Sequence, residues 1–172
     1  KLYNLETRLE NQEQYSRRTS LRFHNVRVPC EGGMIKHPVD TDSLILDICN
    51  TDLGLGLTID DIGRSHVIGK HKNGFCQVIV RFISYRTRAK VYSAKKQLRG
   101  HPDKIFITEN LTEYRSNIVR ELGKMKHDKK INSYWTSDGK IYVKPNELAR
   151  PMRIYHPDEL IELENQARTG HH

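Results

Sequence analysis

Apolar and polar residues alternate most sharply over residues 75–83. Cys76, Val78, Val80 and Phe82 fall on one side of a period-two strand, and Gln77, Ile79, Arg81 and Ile83 on the other. The first side is wholly apolar and is expected to meet helices. The second mixes an amide and a cation with aliphatics. Leu21, Phe23 and Val26 mark an earlier short strand that points Arg22 and His24 outward. Residues 60–69 read as an edge strand with Arg64 and His66 on one face, and Asn73-Gly74 turns it into the central strand. Residues 104–107 supply a fourth strand. Two helical stretches lie between. One is capped by Asp40 or Thr41 and carries Leu44, Ile45, Ile48 and Cys49 as its apolar stripe. The other follows Ser84 and runs to about Leu98. Residues 28–38, with Pro29, Gly32, Gly33 and Pro38, read as a loop.

The resulting order β-α-β-β-α-β predicts an α+β fold of the ferredoxin-like type. Two helices cover one face of an antiparallel sheet and leave the other open, which is also the plan of the RNA-recognition module, or RRM. Ahead of it, Leu2, Leu5, Leu9, Gln12 and Ser16 recur at spacings of three and four, an a/d heptad stripe that turns polar towards its end. With Leu9 at a and Gln12 at d, Arg8 takes g and Glu13 takes e, positions suited to an interchain ion pair. Two heptads are short for holding strands together, so the segment reads as the end of a longer coiled coil. The alternative is an amphipathic helix docked on its own domain. Residues 15–20 end the heptads in a basic hinge.

A second unit begins after Asn110. Thr112 caps a helix whose stripe is Tyr114, Ile118, Leu122 and Met125. A hairpin follows, turning at Asp138-Gly139, with Ser133–Thr136 as one arm and Lys140–Lys144 as the other. Tyr134 and Trp135 point to opposite sides of such an arm, and Trp135 is expected to be the core residue. Residues 152–155 add a brief strand, and Pro157 opens a last helix. The expected domains are a coiled-coil end (1–18), an RRM-like domain (19–110), a small α+β C-terminal domain (111–168), and a linker or tag remnant (169–172). The chain starts at Lys1 without Met and reads as a fragment.

Composition narrows the partners. Lys and Arg total 29 against 21 Asp and Glu, a formal net charge of +8 over 172 residues. That excess favours an acidic partner, nucleic acid before an anionic membrane surface; the bland alternative is a soluble basic protein. Cys30, Cys49 and Cys76 are an odd, widely spaced set, unlike a disulfide framework or a zinc knuckle. No apolar run reaches the length of a membrane span.

Motifs for chemistry are absent: there is no Walker A sequence, GxGxxG, HExxH or GxSxG. Asp60-Asp61 reads as a strand-entry turn, and His24 with His66 lacks a third ligand. The chain is therefore expected to be no enzyme and to hold no metal or cofactor. The better signal is cations interleaved with aromatics, since phosphates need neutralising charge and unpaired bases need flat side chains. Arg22, Arg64 and Arg81 are expected on one sheet face, with Lys70 and Lys72 on the turn beside it. Lys140, Tyr142 and Lys144 on the second hairpin complete the candidate set.

Residues 11–23 (NQEQYSRRTSLRF) resemble the junction of coiled coil and first strand in the first open-reading-frame protein of LINE-type retrotransposons. Gln77–Phe82 is similar to that family's central RRM strand. Residues 107–112 (ITENLT), the basic helix after them and the hairpin ending Lys140–Val143 resemble its C-terminal domain. The resemblance covers most of residues 5–146. It implies a homotrimer held by the coiled coil and made of Leu2, Leu5, Leu9, Gln12, Arg8 and Glu13. It further implies single-stranded RNA and DNA bound between RRM and C-terminal domain, and nucleic-acid chaperone activity in a cytoplasmic ribonucleoprotein particle that can also enter the nucleus. The family's basic strand residues match Arg22, Arg64 and Arg81. Its trimer signature appears as Arg8-Leu9-Glu10-Asn11-Gln12-Glu13, with Gln12 where an apolar residue is usual. Unlike a typical RRM, the outward positions Gln77, Ile79 and Arg81 carry no ring, which implies backbone binding through charge with low sequence specificity. The competing function is a protein–protein scaffold of ferredoxin-like shape, centred on Ile79 and Ile83, without nucleic-acid binding.

Overall fold

The structure is a computed structural model. It describes residues 1–170, so the reading of residues 171–172 as a tag lies outside the described residues. The chain is an α+β protein with two compact units: one is Arg17–Asn110, and the other joins Lys1–Ser16 to the residues from Leu111 onward. In chain order the elements are α1 (Leu2–Ser16), β1 (Ser20–Arg27), β2 (Cys30–Glu31), β3 (Met34–Ile35), α2 (Thr41–Asp47), β4 (Ile62–Lys72), β5 (Phe75–Phe82), α3 (Tyr85–Ser93), β6 (Phe106–Glu109), α4 (Glu113–His127), β7 (Ser133–Ser137), β8 (Lys140–Lys144), β9 (Met152–Ile154) and α5 (Asp158–Thr169).

Within residues 17–110 the main sheet runs β4-β5-β1-β6, and every neighbouring pair is antiparallel. Leu21, Phe23, Val78, Val80 and Phe82 fill its inner face, together with Ile45 and Ile48 of the first helical segment and Val91 and Leu98 of the second. Strict alternation along β1 would turn Val26 outward. Instead Asn25 adopts φ +62°, the β1–β5 register slips by one residue between Phe23 and Val26, and Val26 returns to the core. This is a β-bulge, placed at a residue type that tolerates the left-handed conformation.

Several boundaries differ from the sequence reading, and β4, expected over residues 60–69, runs from Ile62 to Lys72, so Lys70 and Lys72 lie on the strand and not in the turn. The segment expected to be a plain loop carries the two-residue hairpin β2–β3. The second helix stops being α-helical at Ser93 and tightens into a 3-10 turn over Ala94–Leu98. The fourth strand begins at Phe106, after Lys104 turns the chain through φ +57°, outside the extended region. Arg88 of α3 is buried and ion-paired with Glu109 of β6.

In the other unit, Thr112 caps α4 by accepting from the Arg115 N–H at 3.2 Å, a contribution of about 1 kcal/mol. Ile118, Leu122 and Met125 of α4 pack with Leu160 and Leu163 of α5 on the sheet β7-β8-β9, whose core residues are Ile141, Val143 and Ile154. The hairpin turns on Asp138 and Gly139, both at positive φ (51° and 75°) as a type I′ turn requires. That turn pairs Thr136 with Ile141, Trp135 with Tyr142 and Tyr134 with Val143. Because Ile141 and Val143 face the core, Trp135 is driven outward and Tyr134 packs inward, the reverse of the expectation for this pair. Gly123 of α4 leaves room for it: a Cβ there would sit 3.2 Å from the Tyr134 hydroxyl.

α1 joins this unit through its polar side. Gln14 is buried, its Oε1 accepts from the Thr112 N–H at 2.9 Å, and its side chain would collide with any Cβ on Gly139, at 2.7 Å. Glu10 accepts from Arg115 Nε at 2.8 Å, from Arg115 Nη2 at 3.0 Å and from the Thr112 hydroxyl at 2.8 Å. Docking through these residues leaves the heptad leucines outside: Leu2, Leu5 and Leu9 are 71%, 53% and 64% exposed.

Candidate functional site

The open face of the four-stranded sheet follows from its register. Arg64 lies opposite Arg81 on the β4–β5 ladder. In the neighbouring outward row, His66, Ile79, Arg22 and Thr108 run across all four strands. Three predicted cations, Arg22, Arg64 and Arg81, therefore share one face. Like charges opposite one another repel across a ladder. Neither Arg64 nor Arg81 has an acidic partner among the described residues.

Arg22 is the more embedded of the three. Its Nε donates to Asn110 Oδ1 at 3.1 Å and its Nη1 to Gln77 Oε1 at 3.5 Å, while Arg17 donates to the same Asn110 oxygen at 3.4 Å. Burial, then the Arg17 charge, push its pKa down. Lys70 and Lys72 are exposed near the β4–β5 turn, where Lys72 pairs with Phe75.

An aromatic pair that the sequence reading missed lies on the same face. His24 of β1 stacks on Phe106 of β6, with ring centroids 4.2 Å apart and planes 1° apart, and its Nε2 is 2.8 Å from Thr108 Oγ1. The register pairs His24 with Phe106 directly, and Phe106 is half exposed. The signal was the alternation Ile105, Ile107 inward against Phe106, Thr108 outward. His66 belongs to the row of Ile79 on β4 and does not meet His24. Among the described residues no three His, Cys, Asp or Glu side chains gather where a metal ion would sit.

Burial, then the Arg22 charge, hold His24 down from 6.5 to about 4. The unfolded chain binds this proton more readily than the folded one. The stability that neutral His24 contributes is thus complete above about pH 6.5 and is lost as pH falls towards about 4. Urea midpoints measured across that window are expected to drop with acid, and His24→Gln is expected to flatten the drop. Equal slopes in the two proteins would refute the assignment.

The outer face of the three-stranded sheet carries the remaining predicted residues. Lys140, Tyr142 and Lys144 alternate along one side of β8. Trp135, Tyr142 and Arg153 form one cross-strand row. The Trp135 and Tyr142 rings stack at 5.9 Å and 18°. The Arg153 guanidinium sits 4.4 Å over the Tyr155 ring, and its Nε is buried without a hydrogen-bond partner among the described residues. Arg153 was not among the predicted contacts, and Trp135, expected in the core, joins the outer row instead. The two-residue turn and the Ile141/Val143 alternation together locate Trp135, and β9 adds Arg153.

The oligomerisation set, Leu2, Leu5, Leu9, Gln12, Arg8 and Glu13, is exposed throughout. No described helix is long and apolar enough to cross a membrane. No protein-family model matches the chain, and no curated protein matches it significantly.

Proposed function

We propose that the chain binds single-stranded RNA and DNA mainly through phosphates, with little sequence preference, and serves as a nucleic-acid chaperone in a retrotransposon ribonucleoprotein of the LINE type. The observation that carries this reading is the facing pair Arg64 and Arg81, with Arg22 in the neighbouring row and no acid set against the pair among the described residues. A phosphate between two such guanidiniums removes their repulsion and accepts hydrogen bonds from both. Residues 17–110 are read as a ferredoxin-like RRM. Support comes from the β-α-β-β-α-β order, the strand order β4-β5-β1-β6 and the burial of both helical segments on one face.

Rings supply what charge does not. His24–Phe106 on one sheet and Trp135–Tyr142 on the other offer flat surfaces to unpaired bases, and every base has a π-face to stack. Self-association runs through the exposed stripe Leu2, Leu5, Leu9, as a homotrimer. Linked copies would hold several segments of one strand while individual contacts exchange, which is what a chaperone needs. No step of this function calls for a cofactor or a catalytic residue.

The test is fluorescence anisotropy with a labelled single strand of roughly 20–30 nucleotides, against matched DNA and duplex, at about 50 and 200 mM salt. Tight binding to both single strands, weaker binding to duplex and a steep loss with salt are expected. Salt-insensitive or absent binding would return the chain to the scaffold reading, for which Ile83, 65% exposed beside Arg64 and Arg81, would be the contact.

A further inference from the structure

We infer that the cavity beneath α1, inside the unit that α1 shares with α4 and the three-stranded sheet, is a binding site for a single unstacked guanine base. The inference rests on the nucleic-acid reading above and adds one base-selective pocket to binding that elsewhere runs through phosphates with little sequence preference. The cavity encloses about 400 Å³, within the range of small-ligand sites and larger than one filling side chain. Its floor includes the aliphatic side chains Ile118, Ile141 and Ile154, all members of the core.

α1 bridges this space at both ends. The Tyr3 hydroxyl is hydrogen-bonded to His156 Nε2, and His156 Nδ1 lies 2.9 Å from the Tyr114 hydroxyl. At the other end the Glu10–Arg115 ion pair closes the gap. Between these anchors α1 offers Glu6 and Thr7 to an aliphatic floor, while its leucines are exposed elsewhere. The Thr7 hydroxyl is committed to the Tyr3 carbonyl at 3.0 Å. Glu6 has no hydrogen-bond or ion-pair partner among the described residues.

A carboxylate over an aliphatic floor suits a ligand with flat apolar faces and a polar edge that donates hydrogen bonds. Guanine alone among the common bases presents two adjacent donors, N1–H and the N2 amino group, which a carboxylate accepts side by side. Adenine and cytosine set a ring acceptor beside their amino group, and uracil flanks its one N–H with carbonyls, so each turns an acceptor towards Glu6. Asn11 completes the edge. Its Oδ1 accepts from Arg115 at 2.9 Å, which leaves its amide NH2 to donate to the guanine O6. The base comes either from a free guanine nucleotide or from a guanosine within a bound strand.

The experiment uses the whole chain in two arms. One is calorimetric titration with GMP, AMP, CMP and UMP. The other is anisotropy with a uridine strand of roughly twelve nucleotides, with and without one central guanosine. GMP is expected to bind at least about tenfold more tightly than the other nucleotides, or the guanosine to tighten the strand by a similar factor. The first result identifies the free nucleotide as the source and the second the strand. Glu6→Gln is expected to erase the guanine preference while leaving affinity for the all-uridine strand and the urea midpoint unchanged, since Glu6 holds nothing in the fold. No guanine preference in either arm, or a preference that survives Glu6→Gln, overturns the inference. If the all-uridine strand fails to bind at all, the nucleic-acid reading falls, and GMP binding lost in Glu6→Gln would still establish the subsite.

Discussion

Arg88→Met is expected to destabilise the 17–110 unit by about 3–5 kcal/mol, because it removes the guanidinium ion-paired with the buried Glu109 carboxylate. The pair is deep: the side chains are 5% and 2% exposed, and Glu109 sits on the inner face of β6 opposite Leu21. Arg88 is also held between rings, its guanidinium 4.9 Å from the Tyr92 centroid and 5.6 Å from that of Tyr85. Methionine keeps much of the packing and removes the charge, so the loss isolates the carboxylate left behind. The double variant Arg88→Met/Glu109→Leu is expected to recover most of the stability, since two apolar side chains of similar volume avoid the desolvation cost altogether. Urea denaturation followed by circular dichroism measures both. A single variant that costs less than about 1 kcal/mol would mean that other groups hold Glu109 after the change and that the pair is not a structural anchor.

The second large effect concerns binding. Arg64→Ala/Arg81→Ala is expected to weaken single-stranded RNA by roughly 10–100-fold near physiological salt and to flatten the log–log salt dependence by about 1.4, two lost contacts at about 0.7 each. Both side chains are exposed and face each other across a ladder, so their removal relieves repulsion and is expected to leave the urea midpoint unchanged or slightly raised. Weaker binding in a protein at least as stable separates a contact from a folding defect. If affinity and salt slope both stay at the starting values, the open face is not where the strand lies. Arg22→Ala is a poorer probe, because Arg22 is tied to Asn110 and Gln77 and its loss disturbs the sheet itself.

Much of the sheet of residues 17–110 was legible because alternation over Phe75–Phe82 is undiluted and each flank carries its own cap or turn. Arg64 and Arg81 could be put on one face for the same reason. What the pattern missed has identifiable causes. Arg88 reads as one more surface cation among Arg86, Lys90 and Lys95, and only the fold brings Glu109 to it. The His24–Phe106 pair depends on a long-range β1–β6 register that no local window contains. Trp135 was expected in the core, whereas the hairpin register decides its face. The cavity beneath α1 joins residues from both ends of the chain, so no spacing in the sequence announces it.

The clamp between α1 and α4 has a consequence for how the protein is made. Glu10 and Gln14 leave the ribosome roughly a hundred residues before Thr112 and Arg115, the groups that hold them. The residues between, 17–110, contain a complete core of their own and can fold while synthesis continues, at about 5–20 residues per second. Their two ends meet, with Arg17 Nη1 3.4 Å from Asn110 Oδ1. Once folded, this unit acts as a short covalent loop: the entropy of bringing α1 to α4 is no longer that of a chain of nearly a hundred flexible residues. The nascent chain thus has an order imposed on it, in which α1 waits with its leucines exposed, available to other nascent copies before its own carboxy-terminal partner exists.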